Sequence, residues 1–188
     1  MQKGESLLQL PRANIAAYTY DESLTLRDLW PNEATDFTPW LEGNIIIPTI
    51  LQMIENQSFE FWRREVPVGD YRMDMIYQSD KSCYIIENQF GLSDNKHFGQ
   101  ILMYRYLTKM NNILWICDSV SLDHQKIIKE IPDVNCILCS FKVYSKTDRL
   151  KSLIGYRLVV NVYSKSGHKQ ILFDLSHDLK DVHFLEII

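Results

Sequence analysis

Apolar and polar positions change period several times along this chain, and each change marks an element. Ser23–Trp30 carries Leu24, Leu26 and Leu29 in a short helical pattern that stops at Pro31-Asn32. Asp36–Glu42 opens a second helix, with Thr38 as its cap and Pro39 at the first helical position, where a missing N–H costs nothing. Ile46, Ile47, Ile50, Leu51 and Ile54 continue that pattern, and Pro48 inside it predicts a kink. Phe59–Val68 reads as a strand closed by Gly69-Asp70, and two further strands follow, ending near Gln78 and Gln89 around a hairpin at Ser79-Asp80-Lys81. A helix starts near Asn95, capped by Ser93 or Asp94. It points Phe98, Ile101, Leu102 and Leu107 at the core and leaves His97, Gln100 and Tyr104 as a polar stripe. Asn112–Cys117 is a strongly apolar strand, and Ser121–Ile131 is a helix that Pro132 terminates. Cys136–Tyr144, Tyr156–Tyr163 and Ile171–Leu175 alternate as strands do. The order predicts an α/β domain with a mixed central sheet flanked by helices, over residues 23–188. Residues 1–22 read as an N-terminal extension with one strand or a short helix.

Composition changes this picture little: 188 residues, 46% hydrophobic and 23% charged, suit one folded domain. No run resembles a signal peptide or reaches the roughly 20 apolar residues of a membrane span, so the expectation is a cytoplasmic protein with no membrane partner. Cys83, Cys117, Cys136 and Cys139 sit in apolar strands, and the lone C-x-x-C lacks the partners of a zinc set, so buried free thiols are expected. Charge is more informative. The net −4 hides a segment, 142–169, with seven lysines and arginines against the single acid Asp148. One face suited to a polyanion, or a merely solvated rim, both agree with that asymmetry.

The candidate chemistry lies in the two strands after Gly69. Alternation places Arg72, Asp74 and Ile76 on one face of the first, and Cys83, Ile85, Glu87 and Gln89 on one face of the second. If the strands pair, Asp74 and Glu87 are neighbours, and two adjacent carboxylates repel unless a cation or proton lies between them. A divalent-metal site and a solvated polar face are the two readings. Mg²⁺ (or Mn²⁺) needs only one or two carboxylates plus waters and a substrate phosphate. Asp74, Glu87 and the backbone carbonyl of Asn88 would supply the protein's share, and Gln89 could hold a water through its amide.

These residues resemble the PD-(D/E)xK nuclease superfamily in the variant where Glu-x-Gln replaces Glu-x-Lys, with Asp74, Glu87 and Gln89 at the three signature positions. Leu29-Trp-Pro-Asn-Glu-Ala34, Asp36-Phe-Thr-Pro-Trp-Leu-Glu42, Glu65-Val-Pro-Val-Gly69, Ile86-Glu-Asn-Gln89 and His97-Phe-Gly-Gln100 are similar to small bacterial domains assigned to that superfamily, over roughly residues 24–163. The resemblance implies a restriction-endonuclease-like core and Mg²⁺-dependent cleavage of DNA phosphodiesters. It also implies that Glu42 reaches the metal or its water from the leading helix and that Gln100 joins from the helix after the catalytic strands. Three positions depart from the pattern: Met73 precedes Asp74 where Pro is common, Gln89 removes a cation, and Met103-Tyr-Arg-Tyr106 is bulkier than expected.

Two functional classes follow. The first is a metal-dependent DNA endonuclease with catalytic Asp74, Glu87, Gln89, Glu42 and Gln100, whose backbone contacts come from Lys142, Lys146, Arg149, Lys151, Arg157 and His97. Restriction-type cutting of both strands usually needs two active sites, which a homodimer would supply, although nothing in the sequence itself specifies one. The second is a nuclease-fold module that binds DNA or a protein without turnover; hydrolysis of RNA or a small phosphodiester is a third, weaker variant.

Overall fold

A computed structural model of the protein describes residues 18–188. The proposed extension therefore lies largely outside the described residues, and its last part, with Ser23 and Leu24, belongs to strand β1 (Tyr18–Leu24). The helix expected over 23–30 shrinks to α1 (Leu26–Leu29), whose Thr25 and Asp28 form a reciprocal cap.

The leading helices begin and end elsewhere than the sequence pattern predicts. A wide π-type turn (Glu33–Phe37) runs straight into α2 (Thr38–Glu42). Its cap is Asn32, which accepts from Thr35 N–H at 3.0 Å and donates its own N–H to Asp36 at 2.8 Å. Thr38 is consequently helical and buried, and its hydroxyl accepts from Asn88 Nδ2 instead of capping. Gly43 ends α2, and a separate helix α3 (Ile46–Glu55) follows. Pro48 falls in the first turn of α3, where no intrahelical bond is lost, so the expected kink is replaced by a clean break.

Strands β2 (Glu60–Val68), β3 (Tyr71–Gln78) and β4 (Cys83–Asn88) form an antiparallel meander. Helix α4 (Asn95–Thr108), strand β5 (Asn112–Cys117), helix α5 (Leu122–Glu130) and strand β6 (Asn135–Asp148) follow. Two crossovers, through α4 and α5, make β4, β5 and β6 parallel. Strands β7 (Leu153–Ser164), β8 (Gly167–Ser176) and β9 (Val182–Ile187) complete a mixed sheet of nine strands among the described residues. Its path is β2-β3-β4-β5-β6-β7-β8-β9, and β1 pairs with the far half of β6.

Each sheet face carries its own apolar layer. Met75, Tyr77, Ile86, Leu114, Ile116 and Phe141 pack with α1, the π-type turn, α2 and α3 through Leu26, Phe37, Leu41 and Ile50. Ile76, Ile85, Ile113, Trp115 and Leu138 pack with α4 and α5 through Ile101, Tyr104 and Ile128. Helix α4 is turned from its expected orientation. Tyr104, assigned to the polar stripe, is fully buried, whereas Leu102 and Leu107, assigned to the core, are 36% and 42% exposed. The four thiols are free, and Cys136 and Cys139 of the C-x-x-C enter opposite layers. No helix among the described residues is long and apolar enough to cross a membrane.

Candidate functional site

The site forms where β3 and β4 part company. Their ladder pairs Ile76 with Ile85 and Met75 with Ile86, which brings Asp74 and Glu87 to the next step. There the Asp74 carboxylate replaces a main-chain acceptor: Asn88 N–H donates to its Oδ2 at 2.7 Å. Strict alternation breaks here, because Met73 and Ile76 enter the same apolar layer. The shared face expected of Arg72, Asp74 and Ile76 is therefore bent at Asp74, and Arg72 projects into solvent, paired with Glu65 at 3.2 Å. Tyr104 braces the irregular segment by donating its hydroxyl to Arg72 O at 2.8 Å.

Glu87 follows Ile85 onto the α4 side and is only 3% exposed. Its Oε1 accepts from Gln100 Nε2 at a long 3.4 Å, and its Oε2 has no hydrogen-bond partner among the described residues. Burial, and then the neighbouring Asp74 charge, push the Glu87 carboxyl far above the usual carboxylate range. Asp74 is raised as well, by burial first and then by the charges of Glu33 and Glu65, against the opposing pull of the Asn88 N–H. Without a cation, burial and mutual repulsion both favour the protonated form of the pair.

Sequence reasoning missed the third carboxylate. Glu33 stands at the C-terminal end of β4, where its Oε2 accepts from Phe90 N–H at 3.0 Å. Burial raises its carboxyl too, and its charge adds to the strain on both Asp74 and Glu87. The positive charges of Arg27 and Lys96 oppose that effect on Glu33, and Lys96 does so on Glu87. The signal that would have found Glu33 is Asn32 with Asp36 four residues on, a pair that starts a helical turn before Thr38. Asp118, at the end of β5, also escaped notice. Its carboxylate accepts from Leu26 N–H at 2.5 Å and from Gly91 N–H, tying α1 to the loop after β4.

Glu42 is not brought to these groups. It lies on the α2 side of the sheet, paired with Arg64 at 2.8 Å, because α2 starts one turn later than its helical segment does. Gln89 is present but occupied. Its Oε1 accepts from Trp115 Nε1 at 2.9 Å, while Nε2 donates to Leu92 O at 2.8 Å and to Asp94 Oδ2 at 3.3 Å. Both amide hydrogens are spent, so Gln89 has none to offer a water or a phosphate. Gln100 does reach Glu87, and His97 stays in the first turn of α4, held by Asp94 at 2.9 Å. Asn88 directs its main-chain N–H to Asp74 and its side chain to Thr38, leaving its Oδ1 without a partner among the described residues.

The basic segment divides in two. Lys146 and Arg157 both bind Asp174, at 2.8 and 2.6 Å, and Arg157 also lies over the Tyr20 ring, so their charge is largely spent internally. Lys142, Arg149 and Lys151 are exposed. Lys142 alternates with Phe141 and Val143 of the α1–α3 layer and so projects on the same face as Glu87. Leu138 is level with Trp115, which is level with Glu87. Lys142 therefore stands about 10 Å across the sheet and about 13 Å along it from Glu87.

Asp74 and Glu87 offer the oxygen donors a hard divalent cation takes, and the unpartnered Glu87 Oε2 fits such an ion. Among the described residues, however, no three His, Cys, Asp or Glu side chains are placed to hold a metal ion, so the protein's share would be two carboxylates, with water or substrate filling the rest. No family model matches the chain. No curated protein matches it either. The chain is similar to the solved structure of SfsA from Pyrococcus furiosus in complex with Ca²⁺, at 13% identity and a TM-score of 0.38. The match covers 70% of this chain and 62% of that one, less than two thirds of its length.

Proposed function

We propose that the protein is a divalent-metal-dependent phosphodiesterase acting on DNA, with a restriction-endonuclease-like core of the Glu-x-Gln type. The observation that carries this reading is the buried Asp74–Glu87 pair, one of whose oxygens has no partner among the described residues. An orphaned buried carboxylate costs several kcal/mol in a site without a function for it. Asp74 and Glu87 would hold Mg²⁺ or Mn²⁺, which polarises a phosphoryl oxygen and acidifies a bound water. Glu33, whose charge reaches both carboxyls, would orient such a water in the role first assigned to Glu42. Gln100 fixes the Glu87 carboxylate, and Gln89 holds the α4 entrance loop against Trp115. Exposed Lys142, Arg149 and Lys151 would meet the phosphate backbone.

A specific observation favours the second reading, a binding module without turnover: the position that would carry the stabilising cation holds a neutral amide whose hydrogens are both used. Supercoiled plasmid incubated with Mg²⁺ or Mn²⁺ separates the two. Nicking by the wild type that Glu87→Ala and Asp74→Ala abolish is the expected result. Plasmid binding without nicking, unchanged in both variants, would make the module the correct description.

A further inference from the structure

Beside the carboxylate pair, a groove of about 790 Å³ opens between the start of β3 and the outer face of α4. Tyr71, Leu102 and Met103, each 36% exposed, give it an apolar wall, and the Tyr71 ring is held edge-on against buried Tyr104 at 6.3 Å. Arg72 and Lys96 supply cations on its walls, against one acid, Asp70. Gln100 lines the groove and donates to Glu87 at 3.4 Å, so a single side chain separates the groove from the buried carboxylate pair. Helix α4 exposes Leu102 and Met103 on this side while Gln100 and Tyr104 turn inward to the site. The groove and the site thus share helix α4, and Gln100 belongs to both.

We propose that this groove holds an unpaired stretch of DNA, a base resting against Tyr71 and Met103 while its phosphate lies beside Arg72 and Lys96, one side chain away from the Asp74–Glu87 pair. A π-face on an apolar wall with flanking cations is how single strands are held without reading sequence. A duplex, whose bases are stacked inside, has nothing to put against Tyr71. Lys96, on the groove wall, also adds positive charge that draws the Glu33 and Glu87 carboxyls down slightly. The assignment rests on the phosphodiesterase reading of the same site and adds its substrate class: single strands, flaps or melted segments.

The test is fluorescence anisotropy of the full chain with a labelled oligonucleotide of about 15 nucleotides and with the blunt duplex of the same sequence, in EDTA. The single strand is expected to bind about tenfold more tightly than the duplex, and Tyr71→Ala to weaken it by about five- to a hundredfold, the span of one lost base–aromatic stack. Met103→Glu, at a half-exposed helix position that tolerates a charge, should do the same if Tyr71→Ala perturbs the fold. Duplex bound as tightly as single strand, with both variants unchanged, overturns the proposal. Parallel gels in Mn²⁺ separate the two failures. Duplex cleavage that ignores both variants removes the groove and keeps the phosphodiesterase. Groove-dependent binding of the single strand without any cleavage does the reverse.

Discussion

Glu87 is the residue on which the chemistry concentrates, and its surroundings predict how stability should vary with pH. Its carboxyl and that of Asp74 are raised in the folded protein, so folding favours their protonated forms. The stability they contribute is complete below the ordinary carboxylate range of about 4 and declines as pH rises through the higher folded values. Thermal melts in EDTA should therefore show a falling midpoint from about pH 5 to about pH 9, and saturating Mg²⁺ should flatten that slope by replacing the proton. Glu87→Gln should remove most of the slope, stabilise the metal-free protein at pH 8 by about 1–2 kcal/mol, and abolish nicking. An unchanged slope in that variant would show that the pair is not what titrates. Gln89 calls for the opposite outcome. Gln89→Ala strands the Trp115 indole N–H and should cost about 1–3 kcal/mol with or without metal, readable in the near-ultraviolet signal of Trp115.

At the scale of elements, the decisive feature is where the leading helical segment begins. Asn32 and Asp36 start the turn before Thr38, and that shift carries Glu33 to the end of β4 while leaving Glu42 with Arg64. Asn32→Ala should destabilise the protein by about 1 kcal/mol in urea, as loss of a helix cap does, and should weaken Mg²⁺ binding by titration calorimetry because the turn that holds Glu33 against Phe90 N–H, where it would orient a metal-bound water, loses its cap. Glu42→Ala should lose only the modest contribution of a half-exposed ion pair and leave metal affinity as it was. Equal losses of metal affinity in both variants would restore Glu42 to the site. Much of this region was open to sequence reading: the hairpin at Ser79-Asp80-Lys81, the Asp94 cap and the break near Pro31 all follow local rules. Cap competition between Asn32 and Thr38 did not, because both positions satisfy the same local preference and packing selects between them.

For the whole molecule, the long strand β6 extends beyond the C-terminal ends of β4 and β5 and carries Lys142 over the side of the sheet where Glu87 lies. If the polyanion crosses that extension, Lys142→Glu with Arg149→Glu and Lys151→Glu should weaken DNA binding uniformly across sequences and lower the salt dependence of affinity. A salt slope unchanged by the triple substitution would place the contact surface elsewhere. Lys146 and Arg157 make a different prediction. Burial raises the Asp174 carboxyl, but the hydrogen bonds from Arg157 and Lys146 overcome this and leave it lowered, so that cluster stabilises the fold above the ordinary carboxylate range and is lost as acid protonates it.

Local pattern alone determined the α/β class, most of the strands, and the adjacency of Asp74 and Glu87, because hairpin register and strand period are properties of neighbouring residues. The tertiary structure alone decided that Glu33, not Glu42, lies near their charge, which face α4 turns inward, and which lysines and arginines stay exposed. Those outcomes depend on what lies across the sheet: Trp115 absorbing the Gln89 amide, Tyr104 bracing Arg72, Asp174 gathering two cations from separate strands. Such partners are between 17 and 32 residues apart in the chain, beyond the reach of any local rule of period or cap.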